Sequence, residues 1–154
     1  EAYEAGTAPS FELYGMKLHH KHVPELQAII GLTRRPLFVP SVGNFRQGML
    51  VSVPLHLDML AKKTGRAELE GVLVTRYQDS AWVRVVKADE AGFGPDKLEA
   101  ESLNDTNRME LRVFGDDSVG HAVLVAKLDN LGKGASGATV QSLRMMFSLP
   151  PLTA

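Results

Sequence analysis

The sequence predicts an α+β domain built on a largely antiparallel mixed sheet, with two or three helices packed on one face. Two patterns predict this class: segments of strict apolar–polar alternation, typical of half-buried strands, and amphipathic stretches bounded by helix start and stop signals. Size agrees, since 154 residues with 44% hydrophobic content fit one domain, residues 1–154, with its own core.

The first third of the chain predicts two short strands and one helix. Residues 11–15 alternate between apolar and polar side chains and predict a strand that runs into a histidine cluster. Pro24 and Glu25 mark a helix start, because proline needs no N–H partner in the first turn, and Gly31 can end that helix. Residues 37–39 predict a second strand, followed by a loop.

A longer strand is predicted over residues 48–57, where every second residue is apolar. Pro54 lies inside this segment and indicates a bulge or a sheet edge, because proline cannot donate a hydrogen bond to a neighbouring strand. Thr64 is expected to cap a helix that runs to Tyr77, and residues 82–86 predict another strand.

The last third predicts a hairpin and a final helix. Alternating residues at 109–113 and 122–126 flank a turn rich in glycine and aspartate, as in a β-hairpin. Residues 90–102 predict a surface excursion, and a glycine-rich turn precedes a helix over residues 136–147.

Composition limits the possible functions. The net charge of −1 argues against a nucleic-acid partner. The charge is unevenly distributed: residues 1–66 carry eight Lys and Arg, five Asp and Glu and four of the five histidines. This excess of positive charge suits a site for a small anion, or equally reflects random variation in surface charge. No apolar stretch is long enough to span a membrane and no signal peptide is recognised, so a cytoplasmic location is expected. Cysteine is absent, which excludes disulfides and cysteine catalysis by this chain alone.

Three histidines within four residues form the first candidate site. On a strand, His20 and His22 would face the same side, and Tyr14 would lie in phase with them. Histidine is the usual general acid or base near neutral pH. Two alternatives stay open: histidines that only fill surface or core positions, and a zinc site that includes His19.

Two turns form further candidate sites. Gly132, Gly134 and Gly137 precede a predicted helix, and this arrangement suits a phosphate or the edge of a cofactor, or equally a tight strand-to-helix turn. The loop over residues 40–50 places one cation, Arg46, ahead of a long strand.

Together these stretches resemble the N-acetyl-γ-glutamyl-phosphate reductases of arginine biosynthesis, over nearly the whole chain. The matching motifs are His20-Lys21-His22-x-Pro24-Glu25 with Tyr14 six residues before His20, the loop 40–50, the turn 104–108, and Asp129-Asn130-Leu131-x-Lys133-Gly134-Ala135-x-Gly137. Aspartate-semialdehyde dehydrogenases share part of the last motif but not the histidine motif. Gln47 stands where many members have arginine, so Arg46 is an alternative phosphate ligand.

The resemblance implies the C-terminal substrate and dimerisation domain of such an enzyme, with a glyceraldehyde-3-phosphate dehydrogenase-like fold and the NADP-binding domain absent from this chain. It implies attack of a cysteine thiolate on an acyl phosphate, release of phosphate, and hydride delivery from NADPH to give the semialdehyde. His22 would be the catalytic acid and base. Substrate-binding roles fall on Tyr14, His20, Lys21, Arg46, Asn107 and Arg108, and cofactor-binding roles on Asn130, Lys133 and Gly134.

The same resemblance implies a homo-oligomer, a dimer or tetramer, and predicts that this chain alone is inactive because it lacks the cysteine. Three alternatives remain: a free-standing ligand-binding or regulatory module derived from that domain, a domain like that of the aspartate-semialdehyde dehydrogenases, and a zinc-binding module.

Overall fold

The computed structural model describes residues 3–92, 94 and 97–150. The chain forms two compact units, residues 1–46 and 47–154. The predicted α+β class is confirmed. In chain order the elements are β1 (Phe11–Leu13), α1 (His22–Ile30), β2 (Ser41–Gly43), β3 (Met49–His56), α2 (Arg66–Tyr77), β4 (Val83–Val85), β5 (Met109–Asp116), β6 (His121–Leu128) and α3 (Gly137–Met146), with a short 3₁₀ turn at Leu57–Met59 and a π-helical turn at Gly132–Ser136.

The first unit pairs β1 with β2 in antiparallel register, with Phe11 opposite Gly43. Helix α1 ends as predicted at Gly31, which adopts a φ of 73° and donates its N–H to the carbonyl of Gln27. The strand predicted over residues 37–39 is wrong. Residues 41–43, just beyond this segment, pair with β1 instead, so residues 37–39 form no strand.

The second unit contains a four-stranded sheet in the order β3-β6-β5-β4. The predicted hairpin is confirmed as β5 and β6, which pair antiparallel, whereas β4 pairs parallel with β5. Strand β3 lies at the sheet edge, and this explains how Pro54 fits within it.

One face of this sheet forms the apolar core. Directly opposed residues of antiparallel strands share a face, so Val53, Leu124 and Val113 lie in one row, which is buried at Val113 but 48% exposed at Val53 on the edge strand. Val113 is fully buried, and α2 packs against β4 and β5.

The opposite face carries a buried charge cluster that the sequence analysis missed. Arg112 donates to Glu110 at 2.8 Å and Lys127 lies 3.5 Å from the same carboxylate. Lys127 also donates to Ser102 Oγ at 2.6 Å, and Arg112 to the carbonyl of Gly92 at 3.3 Å. These bonds compensate part of the cost of burying two cations, while Arg112 Nε is buried without a partner among the described residues.

The expected cap of α2 is wrong by one residue. Gly65 is the N-cap, and Thr64 instead donates to the carbonyl of Lys62. The Asp117 carboxylate accepts the N–H of Arg66 at 2.8 Å, so the β5–β6 turn supplies the cap from a distant part of the chain. No helix among the described residues is long and apolar enough to cross a membrane.

Candidate functional site

Four rings of the first unit form one aromatic cluster around His20. The His20 ring centroid lies 6.0 Å from Tyr14, 4.8 Å from His22 and 4.9 Å from Phe38. His22 also meets Phe38 edge-on at 5.9 Å. Three of these rings are candidates on sequence grounds, whereas Phe38 is not, because residues 37–39 are expected to form a strand.

The predicted strand geometry of this cluster is wrong, although the predicted proximity is confirmed. Strand β1 ends at Leu13, and the chain then turns through Gly15 and Leu18, with φ values of 63° and 57°. His22 is the first residue of α1. The rings meet because this turn folds the chain back, and not because their side chains alternate on a strand.

Gly15 is the position in this turn where glycine is needed. A Cβ on Gly15 would contact Pro40 Cγ at 3.4 Å and the His20 ring at 3.6 Å, on a backbone with positive φ that side chains rarely adopt. The N–H of Tyr14 donates to the carbonyl of Pro40 at 3.1 Å and fixes the start of the turn.

One hydrogen bond orients the His20 ring. The backbone N–H of His22 donates to His20 Nδ1 at 3.3 Å. Because Nδ1 accepts, a neutral His20 carries its proton on Nε2, which is then the nitrogen able to donate to a ligand. His22 is exposed, and its imidazole has no hydrogen-bond partner among the residues that the structure describes.

Basic side chains surround the histidines. A cleft of about 260 Å³ is lined by His19, His20, Lys21, Val23, Pro24, Gln27 and Arg35. Arg35 donates to the carbonyl of Leu18 at 2.7 Å and braces the turn. The sequence analysis did not single out Arg35, although its position in the pair Arg34-Arg35 close to the histidine motif was visible. Within the described residues, no group of three or more His, Asp or Glu side chains is placed to hold a metal ion, so the zinc alternative has no ligand set there.

The second unit holds the other predicted site residues, around the carboxylate of Asp129. Asp129 is 1% exposed and accepts the N–H of Leu131 at 2.8 Å, the N–H of Asp105 at 2.7 Å and Gln47 Nε2 at 3.1 Å. Gln47 is 5% exposed and also donates to Asp105 at 2.9 Å. The carboxylate therefore joins the 104–108 turn to the 129–134 turn, and Gln47 is engaged inside the protein.

The predicted cofactor-binding residues lie on the 129–134 turn. Asn130 is half-buried, and its Oδ1 accepts the N–H of Gly48 at 2.7 Å, which points its amide nitrogen away from that bond. Lys133 donates to Gln141 at 2.8 Å, and burial lowers the pKa of Lys133 below its ordinary value. Gly134 is exposed and donates its N–H to the carbonyl of Asp129 at 2.8 Å.

Close packing explains why glycine occupies positions 132 and 137. A Cβ on Gly132 would lie 2.6 Å from the carbonyl oxygen of Thr106, and one on Gly137 would lie 2.4 Å from Asn107 Oδ1. The glycines therefore let the 129–137 segment pack directly on the 104–108 turn.

The remaining predicted substrate residues have different surroundings. Lys21 and Arg46 are exposed. Asn107 donates to Gln141 at 3.3 Å, while its Oδ1 is buried and has no partner among the described residues. Arg108 is exposed and lines a cleft beside Trp82. The structure thus brings Tyr14, His20 and His22 together in the first unit, and Asn107, Asn130 and Lys133 around two packed turns of the second.

Comparisons with known proteins agree on one family. The family described as "Semialdehyde dehydrogenase, dimerisation domain" matches residues 2–130. An N-acetyl-gamma-glutamyl-phosphate reductase of Brucella ovis is 49% identical over 135 residues, which are 88% of this chain and 43% of the relative. Proteins named N-acetyl-gamma-glutamyl-phosphate reductase 2 from Nostoc sp. and Pseudomonas putida are 44% and 42% identical, over 91% and 93% of this chain.

The chain spans less than half the length of these relatives, at 44% of the Nostoc protein and 45% of the Pseudomonas protein. The family match, by contrast, covers most of the chain and includes the histidine cluster, the Gln47 position and Asp129. The chain belongs to the semialdehyde dehydrogenase dimerisation domain family.

Proposed function

We propose that this chain is the C-terminal, substrate-side domain of an NADPH-dependent reductase that converts N-acetyl-γ-glutamyl phosphate to N-acetylglutamate semialdehyde in arginine biosynthesis. Three relatives that match 88% or more of the chain carry the name of that reductase, and this supports the proposal. The enzyme would act in the cytoplasm, and the thiolate nucleophile would come from the part of the enzyme that this chain does not contain, because the chain has no cysteine.

The observation that carries the proposal is the contact between His20 and His22, whose ring centroids are 4.8 Å apart. His22 is proposed as the acid and base: it takes the proton of the thiol and returns it to the oxygen that gains negative charge. Its imidazole is exposed and has no hydrogen-bond partner among the described residues, so both ring nitrogens are accessible.

His20 and Tyr14 are proposed to bind and orient the substrate. Because the N–H of His22 occupies His20 Nδ1, the Nε2–H of a neutral His20 can donate to a substrate oxygen. The edge-on contact between Tyr14 and His20, at 6.0 Å between centroids, holds the imidazole plane.

The substrate carries a carboxylate and an acyl phosphate, and both require cations or amide donors. Lys21 and Arg46 are proposed for these groups, since both are exposed and neither forms an ion pair with a described residue. Asn107 and Arg108 are proposed as further substrate contacts. Gln47 is not, because its amide nitrogen already donates to two carboxylates.

The residues of the 129–134 turn fit the edge of a nicotinamide cofactor. The bond from Gly48 to Asn130 Oδ1 leaves the amide N–H₂ of Asn130 to donate to a carboxamide, and Lys133 and Gly134 shape the turn below it. NADPH, when bound, supplies the hydride. The role of this chain is to position the edge of the nicotinamide and to hold or move the proton at His22.

A homo-oligomer is proposed as the working form, which agrees with the family's description as a dimerisation domain. The apolar face of edge strand β3 supports this, because Val51 and Val53 remain 42% and 48% exposed. An exposed apolar patch of this kind usually marks an interface.

A second candidate is a free-standing ligand-binding or regulatory module derived from the same domain. The absence of cysteine favours it, because a module that only binds ligand needs no nucleophile. The two candidates differ in whether the histidine cluster supports turnover once a cofactor domain and a cysteine are supplied.

A grafting experiment separates these candidates. The matched segment of the Brucella ovis reductase is replaced by residues of this chain, and NADP⁺ reduction is measured with N-acetylglutamate semialdehyde and phosphate. We expect turnover from the graft and none from this chain alone. A folded graft that binds NADP⁺ but gives no turnover would contradict the proposal, and activity of the chain alone would contradict the thiolate mechanism.

A further inference from the structure

A second cleft, in the larger unit, plays no part in the roles proposed above except through Arg108. This Trp82 cleft has a volume of about 420 Å³ and lies between the end of α2, strand β4 and the start of β5. Its volume falls within the range of small-molecule sites, roughly 300–1,000 Å³.

The apolar wall of the cleft is rigidly held. Trp82 is 8% exposed, and its carbonyl accepts the N–H of Met109 at 2.8 Å. The hydroxyl oxygen of Ser80 accepts the N–H groups of Trp82 and Val83 at 3.3 and 3.0 Å. Tyr77, from the last turn of α2, forms the neighbouring wall. These bonds hold the backbone around Trp82 in place, and the small exposed part of Trp82 forms the cleft wall together with Tyr77.

The charges that line the cleft are unequally compensated. Arg84 is paired with Glu90, and Glu110 is paired with Arg112 and Lys127 behind the wall. Lys87 and Arg108 also line the cleft, and neither has an ion-pair partner among the residues that the structure describes. The cleft therefore presents two positive charges, without an ion-pair partner among the described residues, beside a wall formed in part by Tyr77 and the exposed edge of Trp82.

We propose that the Trp82 cleft binds a small organic anion, with its phosphate or carboxylate held by Lys87 and Arg108 and its apolar or planar body against Trp82. Cations bind such anions through charge-assisted hydrogen bonds, and aromatic side chains supply large contact area with few rotatable bonds. The two cations alone would bind any small anion, and the apolar wall alone would bind any small apolar molecule. Together they favour an anion with an apolar body. The proposal does not rest on the reductase activity, since every residue that it needs lies in this chain.

Trp82 is the only tryptophan of the chain, so its fluorescence reports on the cleft directly. The probes are phenyl phosphate, inorganic phosphate and benzyl alcohol, titrated into the 154-residue chain near neutral pH. We expect a saturable change in emission with phenyl phosphate and markedly weaker binding of the two half-probes. We expect Lys87→Glu to weaken phenyl phosphate by about tenfold or more, since hydrogen bonds to charged groups contribute more than neutral ones.

The matched control is Lys63→Glu, which makes the same charge change at an exposed lysine outside the cleft. It should leave the affinity for phenyl phosphate unchanged. Lys87→Gln, which removes the charge but keeps a polar side chain, should give an intermediate loss. Unchanged emission with phenyl phosphate would overturn the proposal, as would equal losses in Lys87→Glu and Lys63→Glu or equal affinities for phenyl phosphate and inorganic phosphate.

Discussion

Replacing Asp129 with alanine removes the acceptor that joins two turns of the larger unit. Its carboxylate accepts two backbone N–H groups, from Asp105 and Leu131, and the side-chain amide of Gln47. Gln47 would keep a second acceptor on Asp105, at 2.9 Å. The two backbone N–H groups would lose the carboxylate at an almost fully buried position.

The expected loss follows from these two donors. The donors belong to the exposed residues Asp105 and Leu131, so water can replace part of the lost bonding. Asp129→Ala should therefore lower the free energy of unfolding by roughly 2–3 kcal/mol, since a hydrogen bond to a charged group contributes about 1.5–3 kcal/mol. Asp129→Asn retains one acceptor oxygen and should lose about half as much. Both losses are a substantial fraction of the total stability of a typical domain, which is roughly 5–15 kcal/mol.

Urea unfolding, followed by the emission of Trp82, measures both changes. Asp79→Ala is the matched control, because Asp79 is an exposed aspartate of the same unit with no hydrogen bond or ion pair to a described residue. It should change the free energy of unfolding by less than about 0.5 kcal/mol. A loss below about 1 kcal/mol for Asp129→Ala would refute the claim that this carboxylate holds the two turns together.

Three further predictions follow from other parts of the fold. Gly71→Ala should raise the free energy of unfolding by about 0.5–1 kcal/mol, because its Cβ meets nothing within 4 Å on α2, whereas Gly132→Ala should lower it, because its Cβ would lie 2.6 Å from a backbone carbonyl oxygen. Ser118→Ala should raise the pKa of Asp116, measured by NMR titration, because the Ser118 hydroxyl is the main cause that holds this pKa below its ordinary value. Val53→Arg should shift the chain toward its 16.8 kDa monomer in sedimentation at micromolar concentration.

The sign of the Asp116 effect fixes its pH dependence. When folding lowers the pKa of a carboxyl group, the group stabilises the folded state at pH values above its pKa in the unfolded chain. This stabilisation is lost as the pH falls through the pKa in the folded state. In Ser118→Ala this loss should be smaller. Stabilisation by Gly132→Ala would contradict the close packing at that glycine. An unchanged Asp116 pKa in Ser118→Ala would contradict the role of the Ser118 hydroxyl. A wild-type chain that stays monomeric over a hundredfold concentration range would contradict the proposed oligomer.

Local patterns were enough to predict much of the larger unit. Period-two alternation predicted β3 and the β5–β6 hairpin, because successive side chains of a strand point to opposite faces and the pattern is visible within the strand itself. Gly31 ended α1 as expected, since an αL residue after a helix favours glycine. These features depend on residues that are close in sequence.

The features that were missed depend on distant partners. Whether residues 37–39 or 41–43 form a strand depends on which of them meets β1, and no local pattern shows that register. The cap of α2 comes from Asp117, 51 residues away, and the bond from Gln47 to Asp129 spans 82 residues. Leu18 adopts a φ of 57° without any signal in its residue type, so the turn that places His20 beside His22 could not be foreseen.

The proposed mechanism divides the work within the histidine pair: His22 moves the proton and His20 orients the substrate. Steady-state kinetics of His22→Asn and His20→Asn in the active graft test it most directly. We expect His22→Asn to lower kcat by about 10²–10⁴ with little change in KM, as for other general acid–base residues, and His20→Asn chiefly to raise KM. The reverse pattern, or a His22→Asn graft with unchanged kcat, would contradict the claim.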